Sequence, residues 1–279
     1  METNPQGTRV HYYHADANAL GGVIESPIQQ TIPIQAPITL PVVGGYGVAR
    51  SERFSVEGIL SFDSAYTQVA GSVSKKTGGW TTLASAVVEN VNVLDVFRVK
   101  RIVAQVATEH PPVGYYPEVT FLGTQFEGIQ IGGNDLRAHL DLNMCEPADA
   151  SDSGTGHRFP KTACVGDKKF LGKVGEQYRK IANDAAAPQW VRDQFGVAPA
   201  AGDGKGHVVC SIVTSVTGEF PGKSYGHILA VPGFGKIFLG ELIVNCESFS
   251  LNMVRLELGC PVQAKISMGR AVDNGSTAP

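Results

Sequence analysis

FSVEGILSFDSAYTQVAGSVSKKTGGWTTLASAVVENVNVLDVFRVKRIVAQV, residues 54–106, decides the fold class. β-Branched and aromatic residues crowd this stretch, and they suit a pleated, half-buried surface. Ala65–Ser74, Trp80–Val93 and Val96–Ala107 read as strands. Lys75–Gly79 between the first two reads as a hairpin turn, because Gly78 and Gly79 accept positive φ. Pro111-Pro112 ends the run. Beyond it, Val119–Ile131 and Leu136–Met144 flank Gly132-Gly133-Asn134-Asp135, a second turn signal. In the later strand Leu136, Ala138, Leu140 and Leu142 alternate with Arg137, His139, Asp141 and Asn143. That period of two predicts one buried face and one wet face.

Upstream, residues 8–14 read as a short strand. Residues 24–43 carry Pro27, Pro33, Pro37 and Pro41 among Ile, Gln and Thr. Proline cannot donate to a ladder, so this segment is expected as extended edge chain, a strap across the body. Residues 146–206 change character. Glu146–Gly156 reads as a loop, and Leu171, Val174, Tyr178 and Ile181 recur at helical spacing. Pro188 and Gly196 bracket a second short helix, with Ala198–Gly206 as a linker. Strands resume at Val208–Thr217, Tyr225–Val231, Ile237–Cys246, Ser248–Leu258 and Val262–Met268, and 269–279 reads as a tail. Phe-Leu-Gly recurs at 121, 170 and 238 without a regular period. The expectation is one mainly β domain over residues 1–279, an antiparallel β-sandwich or barrel with a short helical insertion near 168–196.

Composition agrees. The 279 residues include 33 glycines and 16 prolines, and only 18% are charged, against about 25% in an average soluble domain. Many turns and few charges fit short strands. The net charge of −3 comes without a basic cluster, so no nucleic-acid partner is expected. No apolar run reaches membrane-spanning length. Met1–Arg9 lacks the pattern of a signal peptide, so a cytoplasmic location is the default expectation. None of the five cysteines forms a C-x-x-C pair, which argues against structural zinc. Cys145 and Cys164 bracket a polar loop and could form a disulfide if the protein is exported. No cofactor motif is present, and no cofactor is expected.

Five groups of residues bear on chemistry. Gly218-Glu-Phe-Pro-Gly-Lys-Ser224 approaches a phosphate loop but has one residue too few between its glycines, and a strand rather than a helix follows. Gly222-Lys-Ser-Tyr-Gly226 has the spacing of a nucleophile elbow, with His227 adjacent and no acid between. Both read better as a hairpin turn. His11, His14 and Asp16 offer imidazole and carboxylate groups for a metal, although on a strand His11 and His14 point to opposite faces. Arg137, His139 and Asp141 share a wet face and form a candidate binding surface. Trp80, Tyr115 and Tyr116 sit at loops, where exposed aromatics stack on sugars or anchor interfaces.

Val10-His-Tyr-Tyr-His-Ala-Asp-Ala-Asn-Ala-Leu-Gly-Gly22 and Pro232-Gly-Phe-Gly-Lys-Ile-Phe-Leu-Gly-Glu-Leu242 resemble segments of an uncharacterised family of β-rich bacterial proteins of unknown activity. The resemblance implies a bacterial source and no functional residue. Low charge, many strands, the proline-rich strap and the lack of a coherent catalytic set favour a structural, self-associating β protein whose partner is itself, a homo-oligomer, more than an enzyme. The alternative is a module binding a carbohydrate or other small ligand, and the third reading is a hydrolase of unknown substrate.

Overall fold

The computed structural model describes residues 10–56, 58–152, 156–198 and 206–278. The strands begin with β1 (Val10–Tyr12), β2 (Ala15–Ser26), β3 (Gln30–Gln35), β4 (Ile38–Thr39), β5 (Gly45–Ser51), β6 (Phe54–Val56), β7 (Leu60–Phe62) and β8 (Ser64–Val73). Next come β9 (Trp80–Val93), β10 (Phe97–His110), β11 (Glu118–Thr120), β12 (Gln125–Ile131), β13 (Asn134–Leu140), β14 (Ala150–Asp152) and β15 (Arg158–Pro160). Helices α1 (Lys168–Ala182) and α2 (Gln189–Phe195) follow. The chain ends in β16 (Val208–Ser211), β17 (Val213–Thr217), β18 (Lys223–Tyr225), β19 (Ile228–Val231), β20 (Gly235–Val244), β21 (Phe249–Gly259), β22 (Gln263–Asp273) and β23 (Ser276–Ala278).

Two large antiparallel sheets stack face to face. Sheet I runs β17-β13-β12-β10-β9-β8-β5, with β11 paired to β10 and the β6–β7 hairpin at one end of β9. Sheet II runs β18-β19-β20-β21-β22-β2-β3, with β16 paired to β20 and β4 to β2. Strands β8–β10 pack on β2, β21 and β22. Both sheets keep open edges, so the arrangement is a sandwich and not a barrel. Between them lie Phe62, Phe97, Phe121, Phe234 and Phe249, all fully buried, whereas Phe238 is buried on the opposite face of sheet II beneath Arg255. Each such side chain contributes roughly 1.5–3 kcal/mol by leaving water.

Each sheet carries a transverse crease where the inside-outside alternation slips by one residue. In sheet II the crease row is Ala19, Gly269, Met253 and Gly240, each flanked by in-register pairs. Gly240 and Gly269 hold φ of 61° and 63°, a conformation that costs an L side chain roughly 1–2 kcal/mol. Along this row neighbouring residues both turn inward: Ala19 and Leu20, Met268 and Gly269, Met253 and Val254, Leu239 and Gly240. In sheet I the row is Asn90, Lys100 and Gly128, with φ of 54° at Asn90 and 63° at Gly128. There two successive residues turn outward, Glu89 with Asn90 and Lys100 with Arg101. Sheet II bows in where sheet I bows out, and a Cβ on Gly269 would lie 3.0 Å from Ile102 Cγ2.

Helix α1 starts on Asp167, whose carboxylate accepts from the Lys169 and Phe170 N–H groups at 2.8 and 3.0 Å. It buries Leu171, Val174, Tyr178 and Ile181, the predicted stripe, together with Phe170. Pro188 and Gly196 cap α2 as the sequence indicated. Gln177 clamps the chain where it passes from one sheet to the other. Its Nε2 donates to Ser211 O at 2.6 Å and its Oε1 accepts from Ser211 N at 3.1 Å.

Several boundaries differ from the sequence reading. Val208–Thr217 is two strands in different sheets, β16 in sheet II and β17 in sheet I. Val119–Ile131 is divided by a turn into β11 and β12, both paired to β10. Residues 269–279 are not a tail: β22 continues to Asp273, and β23 pairs with β1. The 24–43 segment forms edge strands β3 and β4, hydrogen-bonded to β2. The Ala198–Gly206 linker falls mostly outside the described residues.

Candidate functional site

The histidines near the start of the chain separate, His11 on β1 and His14 in the break before β2. His11 is buried, 4.6 Å from the His110 ring, stacked on Trp80 at 5.1 Å and edge-on to Tyr13 at 4.7 Å. Its Nδ1 shares a 3.0 Å hydrogen bond with Thr277 Oγ1 on β23. The Nε2 atoms of His11 and His110 are buried without a hydrogen-bond partner among the described residues. Burial holds His11 down at about 4, and burial plus the charge of His11 holds His110 at about 3, so both rings are neutral near pH 7. Beside them Asp273 is fully buried, accepting from Thr108 Oγ1 at 2.8 Å, and burial raises its pKa to about 7. His14 lies on the other side and meets Asp16 at 3.3 Å. The expected trio His11, His14 and Asp16 therefore does not assemble, and no cluster of three metal-ligating side chains occurs among the described residues.

The Arg137, His139, Asp141 face is also broken up. The ladder between β13 and β17 shifts register between His139 and Leu140, which removes Asp141 from the strand face. His139 Nε2 contacts Thr217 Oγ1 at 3.1 Å, whereas Asp141 pairs with Lys173 of α1 at 2.7 Å. Arg137 stays exposed. Trp80 is half-buried against His11, so it faces the end of the core. Tyr115 is half-buried and Tyr116 exposed, with Tyr116 N–H donating to Pro160 O at 3.0 Å. Gly222–Gly226 belongs to the β18–β19 hairpin with no helix after it, so it is neither a phosphate loop nor a nucleophile elbow. Cys145 and Cys164 are free thiols.

Two surface features were not read from the sequence. The first follows from the crease in sheet II. Because consecutive residues turn inward there, the outer face loses a row of side chains, and a groove of about 520 Å³ opens across the strands. One wall is the register row Asn18, Arg270, Asn252, Glu241; the other is Gly21, Ser267, Arg255. Ile34 stands at one end and Ile243 at the other. The Asn252 amide repairs the ladder at the crease. Its nitrogen donates to Met268 O and Val254 O, both at 3.2 Å, and its oxygen accepts from Ser267 Oγ at 3.3 Å. Arg255 makes a bidentate pair with Glu241 at 2.6 and 2.7 Å, bonds Glu257, and lies 3.6 Å over the Phe238 ring. Burial alone would lower its pKa, but the two carboxylates raise it above the ordinary value. Arg270 is exposed and has no ion pair among the described residues.

The second feature is the open edge of sheet I. Strand β5 pairs only with β8 among the described residues. Tyr46 and Val48 on its outer face are 66% and 54% exposed, and Val42, Val43 and Val73 extend the apolar stripe at one end. Arg50, next on that face, is exposed. A motif search does not find either feature, because each depends on register between strands distant in sequence. Mid-strand glycines among polar residues are the one sequence signal for the groove.

Compared with known proteins, residues 11–245 match the family described as Domain of unknown function (DUF8256). No curated protein and no solved structure matches the chain.

Proposed function

The chain belongs to the DUF8256 family, whose description carries no activity, and we propose from its surface that it is a self-associating structural β protein, of the bacterial source its resemblance implies. The observation that carries this reading is the uncovered β5 edge with its exposed apolar side chains. An open strand edge offers unpaired N–H and C=O groups to another chain, and proteins that stay monomeric usually blunt it with lysine, proline or a bulge. Residues 45–51 of β5, GYGVARS, contain no lysine or proline and pair with β8 without a bulge, and their one charge is Arg50. An antiparallel pairing of two copies centred on Val48 sets Tyr46 against the partner's Arg50, and Val48 against the partner's Val48. That contact is isologous, so it closes as a dimer. A guanidinium over a tyrosine ring adds about 0.5–1 kcal/mol at each of the two equivalent positions.

The test is the double variant Tyr46→Lys, Val48→Lys in sedimentation velocity. The expected result is a shift from dimer to monomer with an unchanged far-ultraviolet spectrum. A dimer that survives both lysines removes the β5 edge as the contact. The ligand-binding reading has a separate observation behind it, the groove of sheet II, which lies on the other sheet and does not involve β5.

A further inference from the structure

We infer that the sheet II groove is a binding site for a small polyhydroxylated monoanion with a carboxylate, the chemistry of an acidic sugar. Arg255 and Glu241 neutralise each other through a bidentate pair, and Glu257 takes a further donor of Arg255. Arg270 is the cation left over among the described lining residues. A single uncompensated guanidinium on a concave surface selects one negative charge. Its planar fork of donors matches a carboxylate in geometry as well as sign.

The rest of the lining selects the remainder of the ligand. Asn18 and Ser250 lie on either side of Arg270, as its register partner on β2 and as a neighbour on β21, and present amide and hydroxyl groups. Ser267 and Asn252 are partly engaged with each other, and the Glu241 carboxylate has lone pairs free to accept from hydroxyls. Ile34, 58% exposed, and Ile243, 42% exposed, give the ends of the groove apolar surface. A ring with hydroxyl edges and C–H faces meets both kinds of lining. On β2 the wall at Gly21 carries no side chain, which leaves the backbone open to a ligand there. At about 520 Å³ the groove is in the range of small-molecule sites. A phosphate dianion fits poorly. It calls for a second cation or a cluster of backbone N–H donors, and Arg255 is already committed to carboxylates.

The probe is D-glucuronate, titrated into the uniformly ¹⁵N-labelled full chain and followed by amide shifts, with D-glucose and inorganic phosphate as comparisons. The inference expects saturable shifts centred on Asn18, Ser267 and Arg270, with glucuronate binding more tightly than either comparison. Arg270→Gln should weaken glucuronate about tenfold or more, as loss of a charge-assisted bidentate contact does, and leave glucose unchanged. Arg270 is exposed, so this variant tests binding and not folding. Arg270→Lys keeps the charge without the fork and should fall between the two. Absence of saturable groove shifts in the wild-type chain, equal affinity in Arg270→Gln, or tighter binding of phosphate would overturn the assignment. None of these outcomes depends on the state of the β5 edge, so the inference and the dimer fail separately.

Discussion

At the scale of single residues, the buried titratable groups set how the fold responds to acid. His11 and His227 have folded pKa values of about 4, and His110 of about 3. Each lies below the unfolded value of 6.5. Below pH 6.5 the unfolded chain therefore takes up protons that the folded chain refuses, and stability falls by about 1.4 kcal/mol per histidine per pH unit. Asp273 works in the opposite sense. Its folded pKa of about 7 stands above the usual carboxylate value, so its contribution is lost as pH rises from about 4 to about 7. Three imidazoles outweigh one carboxyl, and thermal melting should show greatest stability near pH 6.5 with a steep acid limb. His110→Gln, neutral at every pH, should flatten that limb by one histidine's worth. An acid limb of unchanged slope would show that His110 does not titrate on unfolding. Asp273→Asn should remove the decline between pH 6.5 and 7.

Single residues also explain the misread chain end. Glycine weakens an ordinary strand, and Gly269 stands at the first position of the segment expected as a tail. In the fold Gly269 is the crease residue, and β22 runs on for four more positions to the buried Asp273. A Cβ at Gly269 meets both a positive φ and Ile102 Cγ2 at 3.0 Å. Gly269→Ala should cost roughly 2–4 kcal/mol, combining backbone strain with overpacking. Urea unfolding measures it, and a loss under about 0.5 kcal/mol, typical of a neutral surface change, would mean that the crease tolerates a side chain.

At the scale of elements, what was legible is what local pattern controls. The stripe Leu171, Val174, Tyr178, Ile181 and the brackets Pro188 and Gly196 depend on spacing within one helix, and both helices appear where the sequence places them. The β8–β9 hairpin likewise follows from Gly78-Gly79. Strand facing is legible only between creases. Along β9 the buried residues change from even numbers to odd numbers at Asn90, and nothing in a period of two announces the slip. The passage of residues 208–217 from sheet II to sheet I at Ile212 was equally hidden, because its cause is Gly240 on a neighbouring strand. A Cβ there would lie 2.9 Å from Val213 and 3.0 Å from Ile212. Helix α1 offers the cleanest test of a local device. The Asp167 carboxylate caps two helical N–H groups and also accepts from Ala148 N at 2.9 Å, which ties the preceding loop to the helix. Asp167→Ala should cost about 1–2 kcal/mol, and Asp167→Asn less, since asparagine still caps. Equal losses in urea titrations of the two variants would assign the effect to the charge at the helix start.

At the scale of the whole molecule, the two sheets of the sandwich present different surfaces. Sheet II is creased inward and opens a polar groove; sheet I ends in an apolar, unblunted edge. The residues first singled out, His139 with Asp141 and His11 with His14, were plausible from spacing alone. A register shift separates His139 from Asp141, and the break between β1 and β2 separates His11 from His14. The groove and the edge could not be read in advance, because the sheet register that assembles them joins residues up to 252 positions apart, as in Asn18 and Arg270. Light scattering behind size-exclusion chromatography, over a range of loading concentrations, tests the central claim of self-association most directly. The account expects a mass of twice the 29.5 kDa chain that declines toward one chain only on dilution. A mass of one chain at every concentration would contradict it.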